Sequence, residues 1–331
     1  MTTIRDVAKR AGVAVSTVSK VVNHYPNISE DTIRRVNEAI RELNFVPNTI
    51  ASSLSSKQAG RIAFMLNPNT QTQAIDEITM QYMTGALLKA GELHVELLPV
   101  FFSMLEDKSV EEVETYLHSQ GVGGIVICGM SKDDYVLQRL VAREHFKNVL
   151  VDVPIVNAST SYISVDQKQA QKDVARKTIM DNQGPSRDVL YISGKQNGYI
   201  SEERLQGMLE LAKELDFNLS VHSGEFSERR AREITLKYGE VNDVIVCASD
   251  LMAIGAMRAL TDMDVFHPVC GFDGITLMGY AGKQMNTVRQ NFKEIAAEAV
   301  NEVVKLLAGA EGRAVIMPHE LVRLEYLDII V

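Results

Sequence analysis

Apolar residues recur along this chain with two different periods, and the change from one to the other falls near position 60. Before it, the spacing is helical. Ile4, Val7, Ala8 and Ala11 share one helical face after a start in which Thr3 and Asp6 stand as in a capping box. Gly12 follows where a left-handed C-cap residue is wanted. A second helix is predicted in "VSTVSKVVN", with Val18, Val21 and Val22 as its inner stripe. A third starts at Ser29 and runs "EDTIRRVNEAIREL", with Ile33, Val36, Ile40 and Leu43 at helical spacing. Three short helices, the first two joined by a tight Gly-containing turn, predict a helix-turn-helix unit.

From Arg61 onward, strand-like apolar runs alternate with helical patterns. The strands read "RIAFML", "VELLPVF", "GGIVICG", "NVLVDV", "SYISV", "DVLYISG", "DVIVCAS", "PVCGFD" and "NTVRQ". Between most of them lie helices such as "DEITMQYMTGALLKAG", "VEEVETYLHSQ" and "SEERLQGMLELAKEL". Such alternation predicts parallel sheets covered by helices on both faces. The strands are too many for one compact sheet of this length, so two α/β lobes with a cleft between them are expected. Open α/β sheets bind ligands beyond the C-terminal ends of their strands.

The second short helix has side chains suited to a groove. In a helix-turn-helix unit that helix lies in the major groove with its N-terminal residues at base edges. Its outward residues are Val15, Ser16, Thr17, Ser19 and Lys20. Val15 suits a thymine methyl, Ser16 is a short donor and acceptor, and Lys20 can reach guanine O6 and N7. Thr17 and Ser19 suit phosphate anchoring, which sets register without reading sequence. On the pattern alone, a small helical docking domain with a solvated Ser/Thr face stays open.

Charge supports the first reading. The net charge of the 331-residue chain is −9, yet the first 60 residues hold eight Lys/Arg against five Asp/Glu. The remainder holds 26 against 38. An acidic body repels DNA, so nucleic-acid contact must come through the N-terminal segment. At 46% apolar and 23% charged, the chain reads as an ordinary soluble globular protein of two or three domains. Neither a membrane span nor a secretory signal is read from it. Cys128, Cys247 and Cys270 end apolar runs without metal-ligand spacing, as expected of reduced, packed thiols in a cytoplasmic protein.

"TIRDVAKRAGVAVSTVSKVVN" and "ISEDTIRRVNEAIRELNFVPNTIASSL" together resemble the DNA-binding headpiece of the LacI/GalR family of bacterial transcriptional repressors, nearly without gaps over residues 2–56. One departure is Ala14, where the family usually has a serine capping the recognition helix; such a cap contributes about 1 kcal/mol. The serine-rich "PNTIASSLSS" matches the family's hinge helix, with Ser52 replacing a usual arginine. The resemblance implies that this segment folds on the operator and that Leu54 wedges into a central minor-groove step. The candidate DNA-facing set is thus Thr3, Val15, Ser16, Thr17, Ser19, Lys20, Asn23, Asn48, Ser52 and Leu54.

The resemblance continues, more weakly, through "VGGIVICG", "SYISVDQ", "ERLQGM", "CASDLMAIGAMRAL", "CGFDGI" and "NTVRQNFKEIAAEAV". It implies a periplasmic-binding-protein-like effector core of two doubly wound lobes joined by three crossovers, near residues 163, 291 and 322. The expected division is a headpiece at 1–46, a hinge at 47–57, a first lobe from 60–163 plus 292–322, and a second from 164–291 plus 323–331. In related repressors the positions matching Asp152, Arg204, Ser249 and Asp273 line the effector pocket, and the aromatic matching Phe226 packs on the ligand. An Arg facing two carboxylates also suits polyhydroxyl recognition, because sugars need both donors and acceptors. Asp250 fits a helix cap or a surface charge as well as a cleft contact. The aromatic motif usual after the first core strand is replaced by "NPNTQTQ", so Asn69 is expected to supply an amide contact.

No phosphate-binding loop, H-E-x-x-H, G-x-S-x-G or paired Cys-x-x-Cys occurs. "SGKQNG" at 193–198 lacks phosphate-loop spacing and reads as a βα turn. Neither catalysis nor a metal or cofactor is therefore expected. The expectation is a homodimeric regulator whose two headpieces read a pseudo-palindromic double-stranded operator, with affinity set by a small effector, a carbohydrate or carbohydrate derivative. The rivals are a purine or nucleoside effector, and control by a partner protein.

Overall fold

A computed structural model describes residues 4–22, 28–43, 60–67, 77–184, 186–281 and 284–324. It divides into two compact units, residues 1–60 and 61–331.

The first unit holds α1 (Ile4–Ala11), α2 (Val15–Val22) and α3 (Glu30–Glu42). Its core is Val7, Ala8, Ala11, Val18, Val21, Val36 and Ala39, with Val22 and Ile40 packed beside it. Gly12 ends α1 at φ 66°, the left-handed conformation that its place in the sequence predicts. Ser29 caps α3 by accepting from the Thr32 backbone N–H. One core expectation changes: Ile33 is exposed, and Ala39, a residue further round the helix, takes part in the core instead.

In the second unit, the first lobe contains β1 (Arg61–Leu66), α4 (Glu77–Leu93), β2 (Leu97–Phe101), α5 (Val110–Ser119), β3 (Val122–Cys128), α6 (Tyr135–Ala142), β4 (Lys147–Val151) and β5 (Thr160–Val165). The second contains α7 (Gln167–Asp181), β6 (Asp188–Ser193), α8 (Tyr199–Leu215), β7 (Asn218–Ser223), α9 (Glu228–Tyr238), β8 (Val244–Cys247), α10 (Asp250–Asp262), β9 (Val269–Cys270) and β10 (Asn286–Arg289). The chain then returns with α11 (Phe292–Leu307) and β11 (Ala314–Met317) and crosses again to β12 (Glu320–Arg323).

The first sheet runs β11-β5-β4-β3-β1-β2 and is parallel throughout. The second runs β12-β10-β9-β8-β6-β7, with β12 antiparallel to β10. Crossings fall between β5 and α7, between β10 and α11, and at Pro318–His319. The third was expected near residue 322; pairing of Glu320 with Arg289 puts 320–322 in the second lobe instead. Central strands are buried end to end, as sheets covered on both faces require. Helices α4 and α11 pack closely because Gly85 has no side chain: a Cβ there would stand 2.0 Å from the Lys293 carbonyl oxygen. Among the described residues, no helix is long and apolar enough to cross a membrane.

Candidate functional site

Two places in the chain carry the expected chemistry. In α2, one face is fully committed to the core, with Val18 at 0% exposure. The other presents Val15, Ser16 and Lys20 to solvent, while Thr17 and Ser19 are half-buried. An exposed valine beside short hydroxyls and a lysine offers an apolar contact and hydrogen-bonding groups suited to base edges in a groove. Neighbouring cations are partly committed: Arg10 pairs with Glu42, and Asp31 with both Arg34 and Arg35. Thr3, Asn23, Asn48, Ser52, Leu54 and the whole 47–57 hinge lie outside the described residues.

The second place is where the two lobes meet. Arg204, on α8, is 2% exposed. Its Nε donates to Gln167 Oε1 at 2.9 Å and its Nη1 donates to the Ala248 carbonyl. The guanidinium carbon lies over the Phe272 ring, and Nη2 stands 3.8 Å from Asp273 Oδ1. A planar cation held by a carbonyl, an amide and a ring face keeps its charge in place without full neutralisation.

Asp152, at the end of β4, accepts from Ser164 Oγ and from Gln167 Nε2 at 2.9 Å. Burial pushes its carboxyl above the ordinary value, against the pull of Ser164, Arg204 and Gln167. Asp273 accepts from Gln290 Nε2 at 3.2 Å, and burial raises it strongly despite Arg204, with Asp250 adding to the rise. The structure therefore brings Asp152, Arg204 and Asp273 together. Phe226 packs against Gly194, where a Cβ would stand 2.1 Å from the ring. Asp152, Phe226 and Asp273 all have positive φ, at 63°, 58° and 126°. Non-glycine residues seldom adopt that conformation, and those that do cluster at binding sites.

Ser249 is 5% exposed and caps α10 by accepting from the Met252 N–H. Asp250 is a brace: it accepts from Thr287 Oγ1 at 2.6 Å and from the Gly274 and Ile275 N–H groups at 2.7 and 2.8 Å. Its carboxylate holds the turn that follows Asp273. Asn69 lies outside the described residues.

With both sites described, the matching families can be placed on them. Residues 3–48 match the profile of the bacterial regulatory proteins of the lacI family, and residues 182–324 that of the periplasmic binding protein-like domain. The chain thus carries a lacI-family helix-turn-helix segment followed by a periplasmic-binding-protein-like domain. It is 27% identical over 321 residues to the ribose operon repressor of Halalkalibacterium halodurans, spanning 92% of this chain and 90% of that protein. Its fold is that of the lac repressor dimer bound to operator and the anti-inducer ONPF, with a TM-score of 0.80 at 22% identity over 97% and 98% of the two chains. A complex of the transcriptional regulator CelR with cellobiose superposes with a TM-score of 0.71 at 24% identity over 98% and 99%. The protein is a DNA-binding transcriptional regulator.

Three residues of the interlobe site escaped the sequence pattern. Gln167 starts α7 and Gln290 directly follows β10, so the first two crossings each carry a buried glutamine, 3.5 Å apart. Gln167 joins the lobes chemically, accepting from Arg204 with one end of its amide and donating to Asp152 with the other. Tyr82, from α4, is 7% exposed and meets Phe292 edge-on at 5.2 Å. Burial, reinforced by the Asp152 and Asp273 carboxylates, pushes its phenol well up. A glutamine directly after "SYISVD" and another after "NTVR" were the available signals. Cys128, Cys247 and Cys270 are buried free thiols. Among the described residues, no cluster of His, Cys, Asp and Glu is arranged to hold a metal.

Proposed function

We propose that the protein represses a carbohydrate-use operon and that a sugar or sugar derivative, bound between the lobes, sets its operator affinity. The observation that carries this reading is Arg204, buried 3.8 Å from Asp273 and linked through Gln167 to Asp152, with Phe226 packed on the nearby strand end at Gly194. One fixed donor group facing two acceptors, next to an aromatic face, fits a ring of hydroxyls. The H. halodurans relative is a ribose operon repressor, and the CelR structure contains cellobiose; both support a sugar as the ligand class. The lac repressor structure is a dimer on its operator, which supports a homodimer reading a pseudo-palindromic site in the cytoplasm. Asp152, Arg204, Phe226, Ser249 and Asp273 are the effector contacts in this reading; Val15, Ser16, Thr17, Ser19 and Lys20 are the operator contacts. The proposed bodies are the headpiece, the hinge and the two lobes, and no catalytic role is assigned.

The effector couples to DNA only through its unequal affinity for two lobe arrangements. A thermal-shift screen of the full chain against sugars, sugar phosphates and nucleosides tests the ligand class, since a cleft ligand stabilises by mass action. A shift with nucleosides alone overturns the carbohydrate assignment. Gel shifts on promoter fragments, with and without the hit, test the regulator: ligand-independent operator affinity overturns effector control.

A further inference from the structure

The lobes are joined by more than their three crossings. Those crossings leave from β5, β10 and β11, at one end of each sheet. Further along both sheets, two sets of side chains clasp lobe to lobe.

One clasp joins the loop after β3 to the loop after β6. The Lys132 N–H donates to the Asn197 carbonyl at 3.0 Å, and Asn197 Nδ2 donates to both Asp133 oxygens at 3.1 Å. Lys132 Nζ pairs with Glu202 in the first turn of α8 and stands 5.4 Å over the Tyr199 ring. The loop is pre-shaped for this. Asp134 accepts from the Ser131 N–H and hydroxyl, and Gln138 Nε2 donates to the Lys132 carbonyl at 2.7 Å.

The other clasp joins the start of α4 to the turn after Asp273. Glu77 accepts from the Thr276 N–H and from Thr276 Oγ1, both at 2.8 Å. Gln81 steadies the carboxylate from one turn further along the helix. All four segments follow the C-terminal ends of parallel strands, the side on which such sheets hold ligands.

We propose that these two clasps form the gate of the effector cleft, setting the balance between closed and open lobes through contacts that the effector does not make. The proposal rests on the interlobe effector site. With both clasps made, Arg204 is 2% exposed, so in this proposal a ligand reaches it when they part. Because a ligand's apparent affinity scales with the fraction of competent protein, the clasps tune sensitivity without touching the ligand. Lys132 and Glu202 are 43% and 60% exposed, so salt weakens this clasp and raises the open fraction.

Hydrogen–deuterium exchange on the full chain with no added sugar tests the gate. That choice separates it from the effector assignment, because no ligand takes part. Lys132→Glu sets like charges together, and the expected result is a rise of roughly two- to fivefold in exchange within residues 129–135, as befits an exposed pair. The decisive region is the far clasp, residues 274–280, which must rise with it. Adding Glu202→Lys must return both regions to the wild-type rate. Asn197→Ala, which removes two contacts without adding charge, must open both regions as well. A far clasp unmoved by Lys132→Glu and Asn197→Ala, or no recovery in the charge swap, overturns the proposal.

Discussion

The guanidinium carbon of Arg204 stands 3.5 Å from the centroid of the Phe272 ring. That contact, with the bonds to Gln167 and Ala248, uses the plane and two edges of the guanidinium. A lysine has a compact ammonium and no fork, so it keeps the charge and loses the shape. Arg204→Lys is therefore expected to lose the sugar-induced thermal shift almost as fully as Arg204→Ala. Retention of at least half the wild-type shift in the lysine variant would mean that charge alone suffices.

Asp273 predicts a pH dependence. Burial raises its carboxyl to about 8 in the folded chain, above the ordinary carboxylate value. The folded state thus holds a proton that the unfolded chain has already released. Stability from this group is full below the unfolded value and declines as pH rises through the folded one. Asp273→Asn should flatten the fall in melting temperature between pH 5 and 8, measured without sugar. An unchanged slope would assign the dependence to other groups.

Gly194 tests the aromatic wall. A methyl there meets the Phe226 ring at 2.1 Å and Ser201 Oγ at 2.4 Å. Gly194→Ala should displace Phe226 and weaken sugar binding, read by calorimetry, by roughly tenfold, about 1.4 kcal/mol. Operator affinity measured without sugar should stay within about twofold, because the headpiece is a separate compact unit. Equal sugar affinity would remove Phe226 from the site.

Leu54 tests the hinge, on the strength of the sequence resemblance. Truncating a minor-groove wedge removes the contacts that offset unstacking. Leu54→Ala should weaken operator binding by roughly tenfold or more, with the sugar-induced thermal shift unchanged. Operator affinity equal to wild type in a gel shift would return Leu54 to an ordinary linker residue.

Much of this molecule is legible from residue pattern because its elements are strongly periodic. α2 shows its core face through Val18 and Val21, and β1, β3 and β8 show theirs as continuous apolar runs. Edge strands are harder to read. β7, β11 and β12 went unpredicted since "NLSVHS", "AVIM" and "ELVR" are short and only partly buried, and so carry neither signal. Ile33 illustrates the same limit in a helix, where spacing marks a face but not how far round it the core extends.

Phe226 comes only from the family resemblance; the sequence by itself determined the helix-turn-helix unit, the two-lobe core and three residues that meet between the lobes: Asp152, Arg204 and Asp273. Each of these sits next to a strand or helix whose pattern is local, so its position could be deduced without knowing what it faces. Only the tertiary structure decided that Gln167 links Arg204 to Asp152, that Asp250 braces a turn, and that Glu77 meets Thr276. Those contacts join residues 15, 24 and 199 positions apart or more, or pass through a third side chain. Periodicity records how each segment packs against a nonpolar layer; polar pairings across two lobes depend on where the crossings bring the strand ends, which no single segment encodes.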